Sequence, residues 1–262
     1  MITSASNGRI KYIDNLMQKA KFRRSEGKFV AEGIKMFNEA PKGDVLEVYI
    51  KEGAYDSFDT ETKKKLERIG YEVLSESVFK KVADTVTPQG ILSVIKIRES
   101  SIEDILSDEN PIIAVLENIQ DPGNIGTIIR TAEGAGVNGL LLSRDCVDIY
   151  NLKVIRSTMG SVFRMKFAYA DIDSVFDSFR SKNIETFALA LDKNAKAYDK
   201  YDYKNPVAFF VGNEGNGLKE STIKMCDNTA FIPMCGEVES LNASVAASLM
   251  MYEIFRQRRN MV

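Results

Sequence analysis

From residue 112 onward, short apolar runs alternate with helical segments, and this alternation limits the fold more than any other feature of the chain. "IIAVLE" leads into a glycine-rich turn and a helix, and "GLLLS" precedes a helix near "LKVIRSTMG". "DSVFDSFRSK", "IETFALA", "PVAFFVG" and a final long helix follow. Strands without a polar face need cover on both sides, which parallel sheets with crossover helices provide. The pattern therefore predicts an α/β protein with a mostly parallel sheet, binding ligands beyond the carboxyl ends of its strands. The first hundred residues instead mix helical segments such as "TETKKKLERIG" with β-like runs at "VLEVYI", "YEVLS" and "GILSVIKI", and read as a smaller α/β domain. Between them "RESSIEDILSDENP" carries charge, serine and a terminal Pro111 without a core pattern, so two domains are expected, 1–105 and 106–262. A chain of 262 residues is long enough for each to bury its own core.

Composition removes much of enzyme chemistry. The chain has no histidine, which closes the Ser-His-Asp and Cys-His mechanisms, histidine-ligated zinc and histidine general-base catalysis. Cys146, Cys226 and Cys235 are odd in number, far apart and outside any CxxC spacing, against both a disulfide framework and a zinc site. No apolar run approaches the length of a membrane span, and "MITSASNGRIKYIDNL" has no signal-peptide core, so a cytosolic location is expected. The net charge of -2 offers no overall attraction to polyanions, but it is unevenly spread. Between residues 9 and 28, Arg9, Lys11, Lys19, Lys21, Arg23, Arg24 and Lys28 face only Asp14 and Glu26, a local basic arm with Tyr12 and Phe22 among its cations. It reads either as a solvated face or as a site of phosphate attraction.

Three segments stand out as candidate binding loops. "ENIQDPGNIGTIIRTAEGAGV" places a turn at Asp121-Pro122-Gly123, a candidate helix cap at Asn124, and Arg130 one turn beyond Gly126. Arg130 reads as a solvated side chain or as a planar fork for phosphate. "AFFVGNEGNGL" sets Gly212, Gly215 and Gly217 around Glu214 just after a strand. Neither loop matches the GxGxxG of dinucleotide folds or the GK[ST] ending of a P-loop. In "IPMCGEVESLNASVAASLMMYEIF", Leu241, Val245, Leu249 and Tyr252 form a helical stripe expected to face the core, with Ser240 or Asn242 as the cap.

In this order the three segments resemble the signature motifs of the SpoU (TrmH-type) RNA methyltransferases of the SPOUT superfamily. "NIQDPGNIGTIIRTAEGAGV" is similar to motif 1, "FFVGNEGNGL" to motif 2 and "IPMCGEVESLNASVAASLMMYE" to motif 3, and "DIYNLKVIRSTMGSVFRMKF" resembles the segment between the first two. "RRSEGKFVAEGIKMFNEA" more weakly resembles the start of the substrate-binding domain often fused ahead of them. Ala243 stands where valine is commoner, and Asn213 at a variable position. The resemblance implies a C-terminal trefoil knot, S-adenosylmethionine bound there in a bent conformation, and a homodimer. It assigns cofactor contacts to Gly212, Ile232 and Leu241, and the reaction site to Asn124, Arg130, Glu214, Ser240 and Asn242. The implied reaction is methyl transfer to a ribose 2′-hydroxyl of RNA, of the large ribosomal subunit or alternatively transfer RNA; the basic arm, outside the motifs, supplies Arg23, Arg24 and Lys28 as candidate RNA contacts. No metal is required. A noncatalytic RNA-binding protein of the same fold and a nicotinamide-dependent oxidoreductase are the alternatives, the latter lacking its GxGxxG.

Overall fold

The computed structural model describes residues 1–193, 195–237 and 240–259. The chain divides into two compact units, one formed by Met1–Arg98 with Asp148–Phe163, the other by Glu99–Val147 and the residues from Arg164 onward. The boundary falls before residue 99 rather than after 105, because Ile105 and Leu106 are part of the second unit's core. The sequence also gave no sign that a later segment returns to the first unit.

In the first unit, α1 (Gly8–Gln18) is started by Asn7, whose side chain accepts the Arg9 N–H at 2.9 Å. It is followed by α2 (Ala20–Glu26), β1 (Lys28–Glu32), α3 (Ile34–Glu39), β2 (Val45–Lys51), α4 (Thr60–Ile69), β3 (Glu72–Leu74), α5 (Glu76–Val82) and β4 (Ile91–Lys96). Among the described residues these strands make one four-stranded sheet, in the order β1-β4-β2-β3. β4 runs antiparallel to β1 and β2, and β3 parallel to β2. Ile10, Ile13 and Leu16 of α1 and Val78, Phe79 and Val82 of α5 share a core with Val30, Tyr49, Leu92 and Val94 of the sheet.

The second unit opens with α6 (Ile102–Ile105), where Ser101 and Asp104 form a capping box. Then come β5 (Ile112–Leu116), α7 (Pro122–Gly134) and β6 (Gly139–Ser143). Helix α8 (Leu152–Ser157) belongs to the first unit, where it packs on β1. The second unit resumes with β7 (Phe167–Ala170), α9 (Ile172–Ser181), β8 (Glu185–Leu189), β9 (Lys196–Ala197), β10 (Val207–Val211), α10 (Glu220–Met225), β11 (Asn228–Phe231) and α11 (Ala243–Arg258). Its strands pair in the order β7-β6-β5-β10-β8-β11-β9, and every pairing is parallel. β5, β6 and β10 are buried at every residue, as their uninterrupted apolar composition requires. Phe176 and Phe179 of α9 cover one face of the sheet, the Phe176 and Phe210 rings stacking 5.0 Å apart. No helix among the described residues is long and apolar enough to cross a membrane.

Candidate active site

The three glycine- and asparagine-rich segments meet beyond the carboxyl ends of the central strands. Helix α7 is capped by Asp121, whose carboxylate accepts the Asn124 N–H at 2.9 Å, with Pro122 preset for the first turn. The cap expected at Asn124 thus lies three residues earlier, which leaves the Asn124 side chain free for a second task. Its Nδ2 donates to the Glu214 carboxylate, and its Oδ1 accepts from Asn242 Nδ2 at 2.9 Å. Asn242 in turn starts α11, its Oδ1 accepting from the Ser244 N–H at 2.9 Å and the Ser244 hydroxyl at 2.6 Å. One hydrogen-bonded chain, Glu214–Asn124–Asn242, therefore joins three segments distant in sequence. The orientation of Asn124 is set by its partners, because a carboxylate can only accept.

The loop after β10 is built on the end of β5. Glu117 N–H donates to Val211 O at 2.9 Å, and Asn213 Nδ2 to Asn118 O at 2.9 Å. At the far end of the loop, Lys219 N–H and the Thr222 hydroxyl both donate to the Glu117 carboxylate at 3.0 Å, with Lys219 Nζ 3.5 Å away. Glu117 is only 2% exposed, and a charge is tolerable there because it is hydrogen-bonded on both oxygens. Asn118 adopts the left-handed conformation, φ 57°, and its N–H bonds Ser143 Oγ at 2.9 Å. The sequence pointed to neither Glu117 nor Asn118 as a support, and it passed over Asn213 as variable. The legible signal was a carboxylate directly after a wholly buried strand.

Around this scaffold lies a cleft of about 540 Å³ at the ends of β8, β10 and β11 and the start of α11. Gly212, Ile232 and Leu241, the expected cofactor residues, line it, together with Glu214 and Ser240. Leu189, Leu191 and Met234 complete the apolar wall and were not singled out by sequence. A Cβ on Gly212 would come within 2.1 to 2.3 Å of the Gly217 and Leu218 backbone. The glycine is thus required by the loop's own closure, before any bound molecule is considered.

The remaining candidates lie elsewhere. Arg130 is exposed on α7, does not line the cleft, and makes no hydrogen bond or ion pair among the described residues. Arg23 corrects the expectation for the basic arm. Its side chain is 4% exposed, its guanidinium pairs with Asp148 at 2.6 Å, and it donates to the Leu16 and Met17 carbonyls. It ties α2 into its unit and is closed to any outside phosphate. Arg24 is exposed, and half-buried Lys28 places Nζ 5.5 Å over the Tyr12 ring. The stripe on α11 is corrected as well. Val245, Leu249 and Tyr252 are 46%, 37% and 50% exposed, while Ala247, Met250, Met251 and Ile254 face inward.

Comparison with known proteins places this geometry among RNA-modifying enzymes. The model of the SpoU rRNA methylase family matches residues 111–252, and that of an MRM3-like substrate binding domain matches residues 7–93. The 23S rRNA (guanosine(2553)-2′-O)-methyltransferase RlmP of Bacillus subtilis is 32% identical, with 97% of this chain and 98% of that protein covered. The 23S rRNA (guanosine-2′-O-)-methyltransferase RlmB of Shewanella oneidensis is 27% identical over 82% of this chain and 91% of its own. The AdoMet-bound rRNA methyltransferase from Sinorhizobium meliloti superposes with a TM-score of 0.85 at 31% identity, over all of this chain and 98% of that one.

Proposed function

Since the chain belongs to the SpoU rRNA methylase family, we propose that it transfers a methyl group from S-adenosylmethionine to a ribose 2′-hydroxyl of large-subunit ribosomal RNA, as a cytoplasmic homodimer. The observation that carries this reading is the convergence of Glu214, Asn124 and Asn242 beside a cleft lined by Gly212, Ile232 and Leu241.

The cleft suits the cofactor on its own chemistry. Its volume is that of a small-molecule site, its walls are mainly aliphatic, and Glu214 sets one carboxylate against a positively charged ligand. When bound, S-adenosylmethionine supplies a methyl group already activated by its sulfonium, so neither metal nor histidine is needed. The protein's work is alignment. Leu189, Leu191, Ile232 and Leu241 would flank the faces of the adenine ring, and the loop carrying Glu214 is fixed by Glu117 and Asn118. Asn124 and Asn242 hold Glu214 in place, while Ser240 offers a hydroxyl at the cleft wall. Arg130, exposed and without a partner among the described residues, orients the RNA phosphate and the attacking hydroxyl. The trefoil-knot passage implied for the C-terminal segment belongs to the same reading.

The second copy is proposed on the α7–α11 face. Val245, Leu249, Tyr252 and Phe255 stand exposed along α11, and Gly134 of α7 leaves room beside the Tyr252 hydroxyl. Exposed apolar side chains gathered along one helix face suit contact with another protein surface. The test of the activity is to map 2′-O-methyl groups in total RNA from cells with and without the gene. Loss of one ribosomal site on deletion, restored by the wild-type gene, supports the reading; an unchanged map overturns it.

A further inference from the structure

The first unit presents a loop whose apolar tip is fully exposed. Residues 84–90, "DTVTPQG", join α5 to β4, and Val86 is 101% exposed. A lone exposed valine is ordinary, but this one is held out by an unusual support. Glu32, itself 7% exposed, accepts the Asp84 N–H at 2.8 Å, the Thr85 N–H at 3.3 Å and the Thr85 hydroxyl. Gln89 Oε1 accepts the Ile34 N–H at 2.9 Å, and Gly33 adopts φ 106°, a conformation that favours glycine. Arg156 closes the near side on Asp84 at 2.6 Å. A buried carboxylate thus holds the base of a loop whose tip residue, Val86, is fully exposed.

The surface beside it is basic. A hollow of about 300 Å³ next to the end of α5 is lined by Ser6, Lys11, Asp14, Lys81 and Val82. Lys11, Lys80 and Lys81 are exposed and make no ion pair among the described residues, and exposed Lys35 follows the Ile34 held by Gln89. The hollow also holds Asp14, and Asp84 at the base of the loop is paired with Arg156. Exposed cations at the end of α5, just ahead of this apolar tip in the chain, match the two needs of unpaired RNA, phosphate neutralisation and contact with an unstacked base.

We propose that the loop Asp84–Gly90, with Lys11, Lys80 and Lys81, is the RNA-docking face of the first unit, Val86 packing against an unstacked base. This rests on the methyltransferase reading and relocates RNA contact away from the Arg23 region. The probe is deproteinised large-subunit RNA from cells lacking the gene, with radiolabelled S-adenosylmethionine, and the full-length chain as enzyme. Val86→Ser is expected to raise KM for RNA at least several-fold, leaving kcat and cofactor affinity at wild-type values. Lys11→Gln with Lys81→Gln should flatten the slope of log affinity against log salt by about 1.4, at roughly 0.7 per single-stranded phosphate contact. Both changes lie at exposed positions, and circular dichroism melts verify the fold. Glu32→Gln, which weakens only the loop's base, should raise KM for RNA in the same direction. Wild-type KM and salt slope in these variants, with the parent enzyme active, overturn the docking face alone. A parent that binds no S-adenosylmethionine and methylates nothing instead overturns the reading beneath it.

Discussion

Arg23 and Arg24 are adjacent, identical in type and opposite in environment. Replacing Arg23 by Ala strands the Asp148 carboxylate, which is 9% exposed, without its cation. The expected loss is about 3–5 kcal/mol of stability, the usual cost of leaving a buried charge unpaired, and urea denaturation measures it. Arg24→Ala should stay within about 0.5 kcal/mol of wild type, as surface changes do. Equal effects at the two positions would contradict the buried pairing. At Arg130 the question is geometry rather than charge. Arg130→Lys keeps the cation but loses the fork, so kcat should fall by about tenfold or more with S-adenosylmethionine affinity unchanged by calorimetry. Turnover close to wild type would remove Arg130 from the reaction site. At this scale the resemblance picked out Asn124, Glu214 and Asn242, which meet, together with Arg130, which lies outside the cleft, but not what they do for one another. Asn124 looked like a cap because asparagine is a good one, but the helix already starts at Pro122, so Asp121 is the cap and the Asn124 N–H is the group it satisfies.

At the level of elements, the sequence was most legible where burial was complete. β5 and β10 were visible because they are wholly apolar and β6 because only its last residue, Ser143, is polar, whereas β9, two residues long, and β11, "NTAF", carry no periodic signal. Helix α11 shows the limit of periodicity. It carries two apolar stripes, one of Ala247, Met250, Met251 and Ile254 and one of Val245, Leu249, Tyr252 and Phe255, and spacing alone cannot say which faces the core. Ala243, Ser244 and Ala247, small and buried, let α11 approach β10 and α7. Leu249→Glu with Tyr252→Glu should convert a dimer to a monomer in sedimentation equilibrium while the helical circular dichroism persists, since neither side chain is in the core. A wild-type protein that sediments as a monomer at micromolar concentration would refute the proposed face.

At the scale of the whole molecule, the two units were legible as a change in pattern, but their covalent arrangement was not. "LKVIRSTMG" reads as a crossover helix of the catalytic sheet, yet Val154 and Ile155 are 0% and 1% exposed and α8 packs on β1. Deleting residues 1–98 would therefore uncover that helix's apolar face. The truncated chain is expected to aggregate on size exclusion, and to become monodisperse when residues 148–163 are replaced by a short polar linker. A truncation that is monodisperse without the linker would show that α8 needs no cover.

The all-parallel sheet also has a consequence in time. Its two central strands, β5 and β10, align Ile112 with Val207, so the middle of the sheet cannot close until most of the polypeptide has left the ribosome. β5 and β6 can pair early, but β5 then keeps one open edge throughout the synthesis of α8, β7, α9, β8 and β9. Such late, long-range closure makes folding slow and leaves an apolar edge available to neighbouring nascent chains. Translation speed and chaperone supply should accordingly set the yield of native enzyme more strongly than its final stability does.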